Sequence, residues 1–290
     1  LAVVGKDIGR IKVVCSGAGA AAIACLDLMV RLGVERKNVY VCDSKGVIFV
    51  GREADLEPNK ARYAQETSAR KLADVIAGAD VFLGCSTAGV LTADMVKTMA
   101  PAPLILALAN PVPEIMPDLA KAARPDCVVA TGRSDFPNQV NNVLCFPFLF
   151  RGALDVGATR ITEEMKLACV YAIADLARAE PSDLLANAYG SADLAFGPEN
   201  IIPKPFDPRL IIKIAPAVAR AAMDSGVATR PIADFDAYVR DLTNFVYHSG
   251  TIMRPVFAAA RDSGRRVLYA EGEDERVLRA VRVVIDERLA

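Results

Sequence analysis

The 290-residue chain contains no tryptophan, only one histidine, and no apolar run long enough to cross a bilayer. Its formal net charge is −1, so the composition favours neither nucleic acid nor a membrane surface as a partner. No basic segment precedes an apolar one at the N-terminus, and we expect no signal peptide. Any scheme that needs a histidine base depends on His248 alone, which we interpret as structural.

The seven cysteines form no C-x-x-C pair, and most of them lie among Val, Leu and Ala. We interpret them as reduced core thiols of a cytoplasmic protein rather than as metal ligands or redox groups. Hydrophobic residues make up 53% of the chain, which is enough for a sizeable core. The chain begins at Leu1 rather than at Met and soon enters an apolar run, so we interpret it as part of a longer protein.

Short apolar runs alternate with helix-prone segments over the first half of the chain. This alternation predicts an α/β fold, a Rossmann-type doubly wound parallel sheet covered by helices on both faces. The predicted strands are 12–16, 38–43, 81–85, 104–108 and 127–130. The predicted helices are 20–32, 57–76 with a break near 67–68, 92–99 with Thr92 as N-cap, and 117–124.

The pattern becomes helical after residue 143. Helices are predicted at 143–153, 162–178, 208–225 and 232–243, with a loop rich in Gly, Pro and Asn at 187–208. A strand at 266–270, a turn at 271–274 and a helix at 275–289 then begin a new unit. We therefore expect a Rossmann core at about 10–150, a C-terminal helical extension at 151–255, and at 256–290 a linker followed by the start of another α/β domain.

The strongest motif is Gly17-Ala-Gly19-Ala-Ala-Ala22, a G-x-G-x-x-A between a predicted strand and a predicted helix. Gly17 permits the tight turn, Gly19 lets the backbone approach a pyrophosphate, and Ala22 lets the helix pack closely on the sheet. The phosphates are expected at the helix N-terminus, beside Ala20 and Ala21. Asp43 stands 21 residues past Ala22, where an acid can hold the adenosine ribose hydroxyls. The alternative is a tight strand-to-helix turn that binds nothing.

Three further loops follow predicted strands at the same edge of the sheet. Ser86 and Thr87 lie in the first of them, Asn110 in the second and Asn142 in the third. Uncharged carboxamides suit a hydroxy acid and a nicotinamide ribose, because they both donate and accept hydrogen bonds. The alternative is that these residues only cap turns and helices.

Several short runs of the sequence resemble the malic enzymes. They occur in consistent order over roughly residues 1–255. Arg151-Gly-Ala-Leu-Asp155 resembles the bacterial branch, and Ala270-Glu-Gly-Glu-Asp-Glu-Arg276 resembles the start of a phosphotransacetylase-like domain, as in the bacterial hybrid malic enzymes. The other runs that carry the resemblance are Ser16-Gly-Ala-Gly-Ala-Ala-Ala22, Asp43-Ser-Lys-Gly46, Ala107-Leu-Ala-Asn-Pro111, Thr131-Gly-Arg-Ser-Asp135 and Gln139-Val-Asn-Asn142 with Phe146-Pro147.

The resemblance implies oxidative decarboxylation of malate to pyruvate and carbon dioxide, with NADP or NAD and with Mg or Mn. We also expect a homo-oligomer, because the chain should expose apolar surface that a preceding domain would cover. It implies that Gly17, Gly19 and Ala22 hold the pyrophosphate, that Asp43 holds the adenosine ribose, and that Asn110 and Asn142 face malate and nicotinamide. The family's acid, base and metal ligands precede the glycine motif. We therefore expect no catalytic residue and no metal ligand in this chain, and no activity from the chain alone.

Cofactor choice is less direct. Asp43 by itself favours NAD, because a carboxylate repels a 2′-phosphate. Ser44 and Lys45 follow at once, and Lys60 lies at the start of the next helix, which resembles the NADP-using malic enzymes. We expect NADP, with NAD as the alternative. Two other functions stay open: a Rossmann dehydrogenase for another substrate, and a dinucleotide-binding domain without catalysis.

Overall fold

The computed structural model describes residues 1–52, 56–180, 194–246 and 259–286. The chain divides into two compact units, Leu1–Arg230 and Pro231–Ala290. The interpretation of His248 falls on a residue outside the described ones. Within the described ranges, no helix combines the length and the apolar character needed to cross a membrane.

The first unit is built on a six-stranded sheet with the order β3-β2-β1-β4-β5-β6. All neighbouring strands pair in parallel except β2 and β3, which are antiparallel. The five predicted strands are confirmed, each end within one residue, and β3 was not predicted. The strands are β1 (Val13–Ser16), β2 (Val39–Asp43), β3 (Gly46–Val47), β4 (Val81–Gly84), β5 (Leu104–Ala107) and β6 (Val128–Thr131).

The strand order reverses at β1, which pairs with β2 on one side and with β4 on the other. In a doubly wound sheet, the crevice at such a reversal opens beyond the carboxyl ends of the strands and is where ligands bind. The loops after β1 and β4 therefore meet at the expected site.

Apolar side chains of the central strands enter two separate cores. In β1, Val13 and Cys15 belong to one buried cluster and Val14 belongs to the other, and all three are fully buried. Because alternate side chains of a strand point to opposite faces, the sheet is covered on both sides, as the sequence predicted.

Five helices connect the strands. The N-cap prediction is confirmed, because the Thr92 hydroxyl accepts the Met95 backbone N–H at 3.3 Å. They are α1 (Ala20–Arg31), α2 (Pro58–Ala61), α3 (Leu72–Ile76), α4 (Ala93–Thr98) and α5 (Pro117–Ala123).

The break predicted near 67–68 in the helix 57–76 is confirmed, but it is longer than predicted, because the backbone is not helical from 62 to 71. Tertiary hydrogen bonds replace the helical ones in this segment. The Gln65 side chain donates to the Val39 carbonyl at 2.7 Å, and the Arg70 carbonyl accepts the Val47 backbone N–H at 2.9 Å. The segment thus lies along the β2–β3 edge of the sheet instead of coiling.

Among the described residues of the first unit, three long helices follow: α6 (Phe146–Asp155), α7 (Glu163–Arg178) and α8 (Arg209–Asp224). All three were predicted, and α8 packs against both α6 and α7. The described part of the predicted loop, 194–208, contains neither helix nor strand.

The second unit contains α9 (Phe235–Val246) and α10 (Glu275–Asp286), which confirm the predicted helices over their described residues. The strand predicted at 266–270 is wrong. Residues 265–269 have no regular structure, and Leu268 is 95% exposed. An isolated strand has no neighbour to satisfy its backbone N–H and C=O groups, so the apolar pattern alone does not form one. The predicted turn is present, with the Asp274 N–H donating to the Glu271 carbonyl at 3.2 Å.

Candidate functional site

The loop after β1 requires glycine at position 17. Gly17 has φ +114°, and a Cβ there would overlap the backbone carbonyl oxygen of Cys85. The Gly17 N–H donates to the Cys42 carbonyl, and the Cys85 N–H donates to the Ser16 carbonyl, both at 2.8 Å. These contacts join the ends of β1, β2 and β4, so a larger residue at 17 would push the three loops apart.

Gly19 has a different role, because it is the N-cap of α1 and borders open space. A Cβ at Gly19 would meet no atom within 4 Å, and no side chain caps the helix there. Ala20 and Ala21 are exposed, while Ala22 is fully buried against the sheet. The first backbone N–H groups of α1 thus face a space that an anion can enter, which fits the phosphates of a dinucleotide.

A pair of hydroxyl groups spans the reversal in strand order. Ser16 ends β1, Ser86 follows β4, and their Oγ atoms lie 2.8 Å apart. The Ser86 backbone N–H also donates to Glu114 Oε1 at 2.9 Å. Thr87, the next residue, is exposed. Ser86 is therefore held in place from two sides at the crevice.

Asp43 ends β2 and is already engaged by donors from this chain. Its Oδ2 accepts Arg52 Nη2 at 2.6 Å, and its Oδ1 accepts the Lys45 backbone N–H at 2.8 Å. Burial by itself would raise the pKa of Asp43, but the hydrogen bonds from Arg52 and Lys45 and the charges of Arg52 and Lys60 outweigh it and lower the pKa. Asp43 is thus an anion near neutral pH, and each oxygen keeps capacity for another hydrogen bond.

The two asparagine loops follow β5 and β6. Asn110 Nδ2 donates to the Leu108 carbonyl at 3.4 Å, and a Cβ at Gly132 would lie 2.7 Å from Asn110 Oδ1. Asn142 is exposed and begins a 3-10 turn, Asn142–Leu144. Since β5 and β6 are neighbours in the sheet, both carboxamides belong to loops at the same sheet edge as the glycine loop.

Comparison with known families gives a match over most of the chain. The family described as "Malic enzyme, NAD binding domain" matches residues 1–186. The chain belongs to this family.

Relatives of this chain carry both cofactor names. An NADP-dependent malic enzyme of Salmonella typhimurium is 64% identical, and an NAD-dependent malic enzyme of Rhizobium meliloti is 62% identical. Each alignment covers the whole of this chain but only 38% of the relative. The chain thus spans well under half the length of the curated relatives it matches.

Solved malic enzyme structures share the fold. The enzyme of Pyrococcus horikoshii has a TM-score of 0.73 at 33% identity, covering 88% of this chain and 57% of that one. The enzyme of Entamoeba histolytica has a TM-score of 0.72 at 31% identity, covering 100% and 57%. The predicted family and the Rossmann-type fold are both confirmed.

Two residues of the candidate site were not identified from the sequence. Arg52 is only 8% exposed and holds Asp43 while donating to the Gly46 and Val47 carbonyls at 3.3 Å each. The sequence gives little indication that Arg52 contacts Asp43, because the two residues are nine positions apart and the unpredicted β3 lies between them. Glu114 is fully buried behind the crevice, at the end of the Asn-Pro-Val-Pro-Glu run that begins with Asn110.

Other asparagines near β6 have structural roles. Asn141 Oδ1 accepts the Val143 N–H at 3.0 Å and so caps the turn that begins at Asn142. Asn138 is 2% exposed, donates to the Val129 carbonyl at 3.0 Å and accepts the Ile201 N–H at 2.8 Å. For Asn141 the capping alternative is correct, whereas Asn138 joins β6 to the segment around Ile201.

The described residues do not form a divalent metal site on their own. No group of three or more His, Cys, Asp or Glu side chains within these ranges is arranged to hold a metal ion.

Proposed function

We propose that the chain is the dinucleotide-binding part of an enzyme that converts malate to pyruvate and carbon dioxide while reducing NADP or NAD. The observation that carries the proposal is the open backbone at Gly19, at the reversal in strand order and on the same sheet edge as the Asn110 and Asn142 loops. The names of the malic enzyme relatives point to the same reaction.

Each predicted site residue receives a binding role in this proposal. A bound nicotinamide dinucleotide supplies the hydride acceptor, and this chain orients it. Asn110 and Asn142 hold the hydroxy acid against the nicotinamide ribose through neutral hydrogen bonds. The pyrophosphate is held by Gly17, Gly19, Ala20, Ala21 and Ala22, the adenosine ribose by Asp43 and Ser44, and the crevice between them is lined by Ser86 and Thr87.

We further propose that NADP is preferred over NAD. Arg52 neutralises the Asp43 carboxylate that would otherwise repel a 2′-phosphate, and the charge of Lys60 also acts on that carboxylate. The site therefore presents net positive charge beside the ribose. The relatives carry both cofactor names, so identity alone does not decide between them.

The remaining parts of the proposal concern the whole protein. Mg or Mn would be held outside the described residues, because these form no metal cluster. The acid and base groups would also lie elsewhere, as the resemblance to the malic enzymes implies. We propose a cytoplasmic homo-oligomer, an NAD(P)-binding domain at 1–255, and the start of a phosphotransacetylase-like domain at 256–290. The proposed location rests on the seven cysteines, which are free thiols and form no C-x-x-C pair.

The test of this function is the Asn142→Ala variant of the whole enzyme. Turnover with malate should fall by about tenfold or more, because a lost hydrogen bond in the transition state costs about 1–3 kcal/mol. Dinucleotide affinity should change much less. The matched control is Asn38→Ala, because Asn38 directly precedes β2 and so lies at the sheet edge away from the site. An unchanged malate rate for Asn142→Ala would leave Asn142 with a structural role only.

A second test uses residues 1–290 alone, free of host malic enzyme. The isolated chain should bind NADP in a calorimeter but should not reduce it with malate and Mg or Mn. Turnover near that of the whole enzyme would contradict the proposal that acid, base and metal groups lie elsewhere, and no binding would contradict the dinucleotide site itself.

A further inference from the structure

Two cysteines that are distant in the sequence meet beside the Asn142 turn. Cys145 is partly exposed and is the N-cap of α6, while Cys169 is buried within α7. Their Sγ atoms lie 3.2 Å apart, as a hydrogen-bonded pair of thiols. A disulfide bond is about 2.05 Å long, so the sulfurs need to approach by only about 1.2 Å to form one.

We propose that Cys145 and Cys169 form a reversible disulfide in the presence of a small-molecule disulfide, and that this bond controls the Asn142 turn. Formation of the disulfide does not depend on the proposed function of the chain. Its effect on malate turnover rests on the proposed function, because only that proposal places Asn142 at the substrate.

The two thiols are chemically unequal. The hydrogen bond from Cys169 outweighs burial and lowers the pKa of Cys145, while the same hydrogen bond, together with burial, raises the pKa of Cys169. Cys145 also occupies a helix N-terminus, where the helix dipole favours a thiolate. Cys145, the more accessible of the two, is therefore the attacking thiolate, and Cys169 is the thiol that completes the bond.

The exchange balances without any metal or bound cofactor. The Cys145 thiolate attacks one sulfur of oxidised glutathione, which forms a mixed disulfide and releases one glutathione thiolate. Cys169 loses its proton to that thiolate and attacks Cys145 Sγ, which forms the Cys145–Cys169 bond and releases the second glutathione as a thiolate that takes a proton from water. The two protein thiols lose two electrons in total, and the small disulfide gains them.

The backbone of Cys145 connects this bond to the proposed substrate loop. The Cys145 N–H donates to the Asn142 carbonyl at 3.1 Å, and the Cys145 carbonyl accepts the Leu149 N–H at 2.9 Å. Cys145 therefore belongs both to the 3-10 turn and to the first turn of α6. Drawing its sulfur toward α7 must shift that turn, while the Gly17–Ala22 loop after β1 is not part of it.

The first experiment maps the bond in the 290-residue chain. Reduced protein is equilibrated with oxidised glutathione, digested without reductant and examined by mass spectrometry. We expect one cross-linked peptide pair that contains Cys145 and Cys169, a loss of two free thiols, and full reversal by dithiothreitol. A wild-type protein that carries only a mixed glutathione disulfide, or a cross-link between other cysteines, would overturn the proposal.

Single variants separate the roles of the two thiols. Cys169→Ser should stop at the mixed disulfide on Cys145, and Cys145→Ser should leave Cys169 unmodified. Cys25→Ser, which removes an exposed thiol of α1, should cross-link like the wild type.

Phenylarsine oxide provides a measurement on unaltered protein, because it bridges paired thiols. We expect one equivalent to bind and to protect Cys145 and Cys169 from alkylation. Protection of neither cysteine would contradict the pairing.

The last measurement is malate turnover of the whole enzyme in both redox states. Oxidation should lower the malate turnover of the wild type at least threefold and leave its dinucleotide affinity unchanged. The Cys169→Ser variant cannot form the internal bond, so its turnover should fall less on oxidation. An unchanged rate with the cross-link verified would overturn the control of the turn. An inactive reduced enzyme would instead contradict the proposed function, and the peptide map would still test the disulfide.

Discussion

The buried carboxyl group of Glu114 accepts the backbone N–H of Ser86 at 2.9 Å. Its other oxygen accepts the Ala109 N–H at 3.0 Å. Glu114 also lies directly over Gly84, where a Cβ would overlap the carboxyl carbon. One side chain thus fixes the loop after β4, which contains Ser86, relative to the loop after β5, which contains Asn110.

Replacement of Glu114 by Gln should loosen both loops. A carboxamide has one oxygen, so its NH2 group would face a backbone N–H and leave a buried donor without an acceptor. We expect the free energy of unfolding to fall by about 1–3 kcal/mol and dinucleotide affinity to fall with it. Urea denaturation and calorimetry check this. Glu199→Gln, an exposed control, should change stability by less than about 0.5 kcal/mol; equal losses in both variants would contradict the role of Glu114.

The two glycines of the loop should respond differently to a side chain. Gly17→Ala should destabilise the fold, because the new Cβ overlaps the Cys85 carbonyl and φ is +114°. Gly19→Val should fold normally, since that position is open, but should lower dinucleotide affinity at least tenfold, or about 1.4 kcal/mol. Thermal unfolding and calorimetry on both variants separate the effects. Unchanged affinity in Gly19→Val would mean that the loop is only a turn.

Arg52→Ala should weaken NADP more than NAD. Without the guanidinium group, the charge of Asp43 faces a 2′-phosphate, and two charges about 4 Å apart repel each other by about 1–4 kcal/mol in these surroundings. We expect at least a tenfold loss of NADP affinity beyond any loss for NAD, measured by calorimetry. Lys37→Ala, an exposed cation elsewhere, is the control. Equal losses for the two cofactors would assign Arg52 to the fold of the β3 edge alone.

Lys60→Ala should also discriminate between the cofactors, by another route. Lys60 lies in α2 and lowers the pKa of Asp43 through its charge, so it is placed to attract a 2′-phosphate. The variant should weaken NADP about fivefold and leave NAD affinity unchanged. The ratio of the two dissociation constants at low and high salt is the readout, because salt screens such an attraction. A ratio equal to that of the wild type would remove Lys60 from the phosphate site.

Asp126 is expected to make stability depend on pH. Hydrogen bonds from Arg124 and from the Ala102 N–H hold the pKa of Asp126 well below its usual range. Because the folded pKa lies below the unfolded one, this stabilisation is present above about pH 4 and is lost as pH falls through the folded pKa.

Asp126→Asn should therefore reduce the free energy of unfolding at pH 7 by about 0.5–1 kcal/mol, a small value because the side chain is 45% exposed and screened by water. The difference from the wild type should shrink at pH 3. Urea denaturation at both pH values measures it, with the exposed Asp175→Asn as a control. A difference that stays the same at both pH values would contradict the account.

The sequence alone determined the five parallel strands, the connecting helices outside 57–76, and the glycine loop. Buried parallel strands form continuous apolar runs, and the spacing from Gly17 to Asp43 lies within one β-α-β unit, so local patterns contain this information. Local patterns failed where distant groups compete. Gln65 hydrogen-bonds across the sheet edge and prevents a helix, and residues 266–270 have no neighbouring strand.

Only the tertiary structure decided which side chains face one another across the site. Arg52 reaches Asp43, Glu114 reaches Ser86, and Cys145 meets Cys169 across 24 positions of sequence. No residue type or spacing encodes such a pair, because its distance depends on the whole path of the chain between the two partners. The family and its cofactor loop can therefore be predicted from short segments, whereas the charge beside the ribose and the paired thiols beside Asn142 depend on the packed fold.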